Sequence, residues 1–498
     1  MRLPFLYSFF LFVSVNFYAQ KADYSTLNIP ENLKENANSV IINQEVNVVI
    51  NSQRSYDISK YLVIKILNEE GLKNLDLLEH YDKSNHIKKM DVKMYNSFGQ
   101  LIKDFKQKDF KDLSASDGFS IANDGRIVYL EFTPTEYPFT MVYTSETESE
   151  NTAFLPSWYP IDDIYESVLK SSFSISYPND LGFKYKEKNF KDFGIKKNEG
   201  ANKITYSIEN TPAIRKEEYS PYNEIFPFVL FGLEKFRLEG VEGSAKSWKD
   251  FGLWRYNALL ADTEEIGEPT IQKIKSLVGN ETDPIKKARI VYKFVQDKTR
   301  YVSIQLGIGG WKPMLAKDVD RLGYGDCKAL TNYTRVLLKS VGVESYYTVI
   351  YGDNDKKDFE TDFVSMQGNH IILSIPNNDK LIFLECTSQT DPFGYEGDFT
   401  DDRYALVIKP DGGEIIKTTS YVNKDNSQKM KSTYTVSETG EIDCKIQIQS
   451  KGVQYAKIYP IEKASAEKID EHYKERFSNL VNLKILSKKN EIYYINIF

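Results

Sequence analysis

The stretch GYGDCKALTNYTRVLLKSVG, residues 323–342, carries the reading of the whole chain. Gly323 to Asp326 form a turn, and Leu330, Val336, Leu337 and Leu338 follow with helical spacing, so a helix is predicted to open at Cys327 with Asp326 as its N-cap. Position gives that cysteine its interest. The N–H groups and dipole at a helix N-terminus favour thiolate over thiol, and the same amides can donate to an oxyanion. A free cysteine is also very often a buried structural thiol, so Cys327 needs partners to count as a nucleophile.

Those partners lie downstream. HIILSIP (370–376) and LIFLECTSQ (381–389) read as the two strands of a hairpin around Pro376 to Asp379. With Ile375 opposite Lys380, antiparallel pairing sets His370 directly across from Glu385 on one face. A slip of one residue would send the two to opposite faces. Cys327, His370 and Glu385 then make a Cys-His-carboxylate set: the imidazole holds the thiolate as an ion pair and later protonates a leaving group, and the carboxylate fixes the tautomer. Asp391, just downstream, is the alternative third member. Cys386 points to the other face as a core thiol, and Cys444 reads as a core residue of a later strand.

Working outward, SWKDFGLWRYNALLADT (247–263), TIQKIKSLV (270–278) and DPIKKARIVYKFVQDKT (283–299) read as helices. The last has Asp283 as N-cap, Pro284 at its first position, and Ile285, Ala288, Val291, Tyr292 and Val295 on one face. RYVSIQ (300–305) reads as a strand and LGIGGWKP (306–313) as a glycine loop without the Lys-Ser/Thr of a phosphate loop. Upstream, from about Val40 to Asn210, short alternating segments divided by turns predict an antiparallel β-sandwich, and Thr211 to Gly240, with three prolines, reads as a connector. From about Ser427 a further β-containing region with one helix follows. The chain stops at Phe498 within an expected strand, the pattern either of a truncated reading frame or of a C-terminal edge strand.

The order GDCKAL (325–330), GNHIIL (368–373) and LECTSQ (384–389) resembles the transglutaminase-like branch of the papain-like superfamily, in which Cys, His and Asp occur in that order. RYVSIQLGIGGWKP (300–313) is similar to the segment that precedes the nucleophile in bacterial members. The β-rich region ahead of it is similar to the domain of unknown function found before such domains in exported bacterial proteins. The resemblance implies Cys327 as nucleophile, His370 as general base and acid, and Glu385 where most members have Asp. It also makes Trp311 a candidate for lining the site or aiding an oxyanion hole.

The expected architecture is therefore multidomain: a signal peptide over 1–19, a β-sandwich with connector over 20–240, a central α+β papain/transglutaminase-like domain over 241–410, and a C-terminal β-containing region over 411–498. Residues 1–20, MRLPFLYSFFLFVSVNFYAQ, place Arg2 before an apolar run and Ala19 at its end, the pattern of a secretory leader shorter than a membrane span. A periplasmic or secreted protein with no integral membrane segment after cleavage is expected. With 64 Lys plus Arg against 71 Asp plus Glu, nothing marks a nucleic-acid partner. Three cysteines and four histidines with no C-x-x-C or H-x-x-x-H spacing give no metal motif, and the chemistry calls for no cofactor. The expected function is thioester chemistry on a protein or peptide substrate, with hydrolysis favoured over crosslinking. The rival is a non-catalytic adaptor that binds a protein or surface polymer on a retained scaffold.

Overall fold

The computed structural model describes residues 24–115, 120–456, 461, 464–480 and 482–486. The expected leader over 1–19 and the last expected strand lie outside them. The molecule is strand-rich, and its described residues divide among several sheets.

Alternating apolar residues build the N-terminal sheet. Its strands are β1 (Ser39–Ser52), β2 (Ser55–Ile66), β3 (Asn85–Tyr95), β4 (Leu101–Lys106), β5 (Phe139–Ser149), β6 (Glu166–Ser176), β7 (Lys196–Glu199) and β8 (Lys203–Thr211). They run in the order β7-β8-β6-β1-β2-β5-β3-β4. On β8 Ile204, Tyr206 and Ile208, every second residue, are buried, whereas on the central strand β5 burial is continuous from Phe139 to Tyr143. The purely antiparallel sandwich expected here needs correction, because β1 and β6 pair parallel. The chain between them contributes β2, β3, β4 and β5 and then crosses back to the far edge of β1, and such a crossover makes neighbours parallel.

The stretch read as a connector is also partly strand. Phe228–Leu233 pairs antiparallel with Phe183–Lys188 and lays Val229, Phe231 and Leu233 onto the large sheet, where Phe231 stacks on Phe173 at 5.0 Å. Its three prolines lie at 212, 221 and 227, ahead of this strand, and obscured the alternation that begins at Phe228.

The central region surrounds one helix. Around it lie α1 (Trp248–Arg255), α2 (Glu268–Val278), α3 (Pro284–Lys298) and α4 (Ala316–Leu322), with α5 (Cys327–Ser340) in the middle. Asp283 caps α3 as expected, accepting from Ile285 N at 2.8 Å, and Ala288, Val291, Tyr292 and Val295 are buried against α5. RYVSIQ is split at Val302. Arg300–Tyr301 pairs with Tyr324–Gly325, whereas Ser303–Gln305 pairs with Ser120–Asn123 of the N-terminal region.

A five-stranded sheet closes the core, formed by β9 (Tyr346–Ile350), β10 (His370–Asn377), β11 (Lys380–Leu384), β12 (Tyr404–Lys409) and β13 (Gly412–Lys417) in the order β11-β10-β9-β12-β13. This sheet continues across residue 410, where a domain end was expected, because β12 and β13 are the arms of one hairpin. The final described hairpin, β14 (Gln428–Val436) with β15 (Ile442–Ser450), is exposed along almost its whole length. Cys444 is therefore an exposed thiol and not the core residue its alternation suggested, since among the described residues no layer covers this ribbon. No helix among the described residues is long and apolar enough to cross a membrane.

Helix α1 reaches this sheet through two glycines. A Cβ on Gly252 would lie 2.2 Å from the Cα of Gly413, so helix and strand meet backbone to backbone. Gly252→Ala is expected to cost about 1–3 kcal/mol through overpacking, seen as a lower urea midpoint with an unchanged slope. An unchanged midpoint would show that the two backbones separate freely.

Candidate active site

The turn before α5 presents Cys327 at the first helical position. Asp326 caps the helix by accepting from Ala329 N at 2.9 Å and forms a buried ion pair with Lys328, so it is occupied structurally. Cys327 is 7% exposed. The amides of Cys327 and Lys328 lie in the first turn, where a helix offers no internal acceptor.

The hairpin brings the partners in with a register different from the expected one. Asn377 pairs with Lys380, Ile375 with Ile382 and Leu373 with Leu384. The connection is therefore the two-residue turn Asn378-Asp379, with Asn378 at φ 53°, a conformation that asparagine tolerates. Relative to the expected pairing the ladder is shifted by two residues. An even shift keeps each side chain on its side of the ribbon, so His370 and Glu385 become diagonal neighbours and not directly opposed ones. They still meet: His370 Nε2 lies 2.7 Å from Glu385 Oε2.

This contact leaves Nδ1 as the ring nitrogen for Cys327, whose thiol lies within hydrogen-bond reach of the imidazole. The structure thus brings together Cys327, His370 and Glu385. Asp391 is placed elsewhere: its amide donates to Ser388 Oγ at 3.0 Å and its carbonyl accepts from Gln296 at 2.9 Å.

Glu385 is itself held in place. Its Oε1 accepts from Thr387 N at 3.0 Å and from the Thr387 hydroxyl, and its carbonyl accepts from Tyr292 at 2.8 Å. The His370 ring meets the edge of Phe399 at 5.3 Å. Asn369, one residue earlier, clamps Gly352 by accepting from its N–H at 2.7 Å and donating to its carbonyl at 3.2 Å. Sequence reading missed Thr387, Asn369 and Phe399. The asparagine beside the histidine in GNHIIL and the threonine two residues after Glu385 were usable signals, but Phe399 gains its place only by chain reversal.

Burial disfavours a charged imidazole, yet Glu385 and the Cys327 thiol outweigh it and push His370 up to about 10. Burial would also raise Glu385, but the imidazolium and Thr387 hold it below the ordinary carboxylate range. Cys386, a buried core thiol as expected, lies in the turn that follows β11 and has its thiol pushed up to about 12 by burial. Trp311 is half-buried, packs on Phe154 at 4.9 Å and shares an apolar cluster with Cys327. Among the described residues no group of three or more His, Cys, Asp or Glu could hold a metal ion.

Comparison with known proteins gives the setting. Residues 53–215 match the family described as a Domain of Unknown Function with solved-structure structure, DUF3857. The chain shares its fold with a solved candidate protease from Parabacteroides distasonis ATCC 8503. The TM-score is 0.55 at 13% identity, covering 77% of this chain and 72% of that one. A candidate cysteine protease from Cytophaga hutchinsonii aligns over 80% of this chain and 91% of its own, at 9% identity and a TM-score of 0.21. No curated protein matches the chain.

The sign of the His370 shift sets a pH dependence. Because its folded value is raised, the stability it contributes is fully present below the ordinary value of 6.5 and is lost as pH rises through about 10. Glu385, held low, adds a contribution that is lost only as pH falls through its depressed value. The difference in unfolding free energy between wild type and His370→Gln, from urea melts, is expected to be largest near pH 6 and to shrink toward pH 10. A difference independent of pH would contradict the paired imidazolium.

Proposed function

We propose that this chain is an exported transglutaminase-like cysteine enzyme that cleaves peptide or amide bonds through a thioester on Cys327. The observation that carries the reading is the linked set itself: a cysteine at a helix N-terminus, His370 in reach of its thiol, and Glu385 2.7 Å from the far side of the ring. The fold shared with a candidate protease is in keeping with it. On this reading the segment over 1–19 directs export to the periplasm or beyond. The enzyme domain begins near residue 241 and includes the hairpin over 404–417, and the N-terminal sheet is a separate domain.

In the reaction, the Cys327 sulfur attacks the carbonyl carbon and the C=O electron pair moves to oxygen, near the first amides of α5. The pair then returns, the C–N bond breaks, and His370 gives its proton to the departing nitrogen. That leaves a thioester and a neutral imidazole. Water attacks the thioester as His370 takes its proton, the C–S bond breaks, and the carboxylic product leaves with thiolate and imidazolium restored. Glu385 keeps its charge and orients the ring throughout. Hydrolysis is favoured over transfer to lysine because an acyl group open to water needs no second binding pocket.

Iodoacetamide labelling of Cys327 on the folded protein, read by mass spectrometry across pH, tests this. Labelling is expected to stay rapid well below about 8.5, the value of a free thiol, and to lose that persistence in His370→Ala. Glu385→Ala is expected to slow labelling, because the carboxylate that supports the imidazolium is lost, and Asp391→Ala to leave it unchanged. Labelling that rises only near the free-thiol value, or ignores His370→Ala, would overturn the enzyme in favour of a binding protein on the same scaffold.

A further inference from the structure

One buried cation near Cys327 has no partner among the described residues. Arg255, the last residue of α1, is 4% exposed, and among the described residues its side chain makes no hydrogen bond or ion pair. The other deeply buried guanidiniums are matched. Arg335 donates to Glu264 at 2.7 Å, and Arg403 donates to the carbonyls of Tyr351, Asp353, Asp398 and Asp401. A buried charge without a counterpart is costly, so an arginine kept in that state points to a partner that arrives from outside.

A second orphan group sits with it. Tyr347 is 3% exposed and its hydroxyl is buried without a hydrogen-bond partner. The two line one narrow crevice, walled by Leu259, Trp311, Pro313 and Ile408. Helix α1 gives way after Arg255 to a wide π-turn over Tyr256–Leu260, and this turn supplies Leu259. The crevice adjoins the nucleophile: Tyr347, Trp311 and Leu259 share an apolar cluster with Cys327, and the Tyr347 hydroxyl feels the charges of both Arg255 and Cys327. Burial lowers the pKa of Arg255 and raises that of Tyr347, the directions expected for groups left without their counterpart.

A guanidinium presents paired N–H donors that match the two oxygens of a carboxylate, and a phenol adds a third donor. We infer that Arg255 and Tyr347 form a carboxylate-binding pocket beside Cys327, so that the substrate is an acidic peptide carrying its carboxylate next to the bond attacked. The carboxylate comes from an Asp or Glu side chain or from a free C-terminus. The inference rests on Cys327 being the nucleophile proposed above and adds the class of substrate.

Two alkylating agents of similar size separate this inference from the reading beneath it. Iodoacetate carries the carboxylate and iodoacetamide does not. The ratio of the iodoacetate rate to the iodoacetamide rate at Cys327 is expected to fall at least about fivefold in Arg255→Met, because only the charged reagent uses the guanidinium and any change in the thiolate itself cancels in the ratio. Tyr347→Phe, which removes one hydroxyl, is expected to lower the same ratio by a smaller factor, and decides the matter if Arg255→Met does not fold. Protection of Cys327 from iodoacetamide by an amidated Glu peptide, or by an Ala peptide with a free C-terminus, identifies which carboxylate is taken. A ratio unmoved by the variants overturns the pocket and leaves the nucleophile standing. Failure of iodoacetamide to label Cys327 at all overturns the nucleophile, and the pocket with it.

Discussion

The structure depends on the burial of helix Cys327–Ser340 along nearly its whole length. Every residue from Cys327 to Leu338 is buried, including Lys328, Thr331, Asn332, Thr334 and Arg335. Water reaches little of these polar groups, so the surrounding elements must answer them. Asp326 pairs with Lys328, Thr263 accepts from Asn332 at 2.9 Å, Glu264 meets Arg335, and Thr331 donates to the carbonyl of Ile371 at 3.3 Å. That last bond ties the helix to the strand that opens with His370. The same demand that satisfies the helix thus aligns its N-terminus with the histidine.

The N-terminal region takes part in this arrangement. Ser303–Gln305 pairs with Ser120–Asn123, Lys188 meets Glu360 at 2.6 Å, and Phe154 packs on Trp311 at the edge of the crevice. One wall of the pocket beside Cys327 is therefore braced by the sheet-bearing region. The contact couples the placement of Trp311 to the N-terminal fold, because beside the core of each region a shared cluster joins Phe154, Phe236 and Leu238 to Phe251 and Cys327.

Much of the site was legible in the sequence because its signals are local. A cap residue, a cysteine and an amphipathic run in immediate succession define a helix start whatever surrounds it, and Asp326 and Cys327 are found in those roles. The pairing of His370 with Glu385 was legible for a different reason. The alternation in HIILSIP and LIFLEC determines which side each residue takes, and that survives a shift of two. The register itself was misjudged because Asn378 closes the turn in two residues where four were expected. Arg255 left a weaker trace: a charge four residues after Phe251 and four before Leu259, on what is otherwise an apolar stripe.

By itself the sequence determined the local pieces: the strands and their alternation, the capped helices, and the three residue types whose chemistry belongs together. Capping, periodicity and turn preference act over a few residues, so they can be read without knowing the fold. The parallel pairing of Ser39–Ser52 with Glu166–Ser176, the five-stranded sheet that runs past residue 410, the choice of Glu385 over Asp391, and the meeting of Arg255 with Tyr347 were decided only by the tertiary structure. Each of these joins segments far apart in the chain, and such contacts form where buried area and polar satisfaction are both met, a condition no single segment contains.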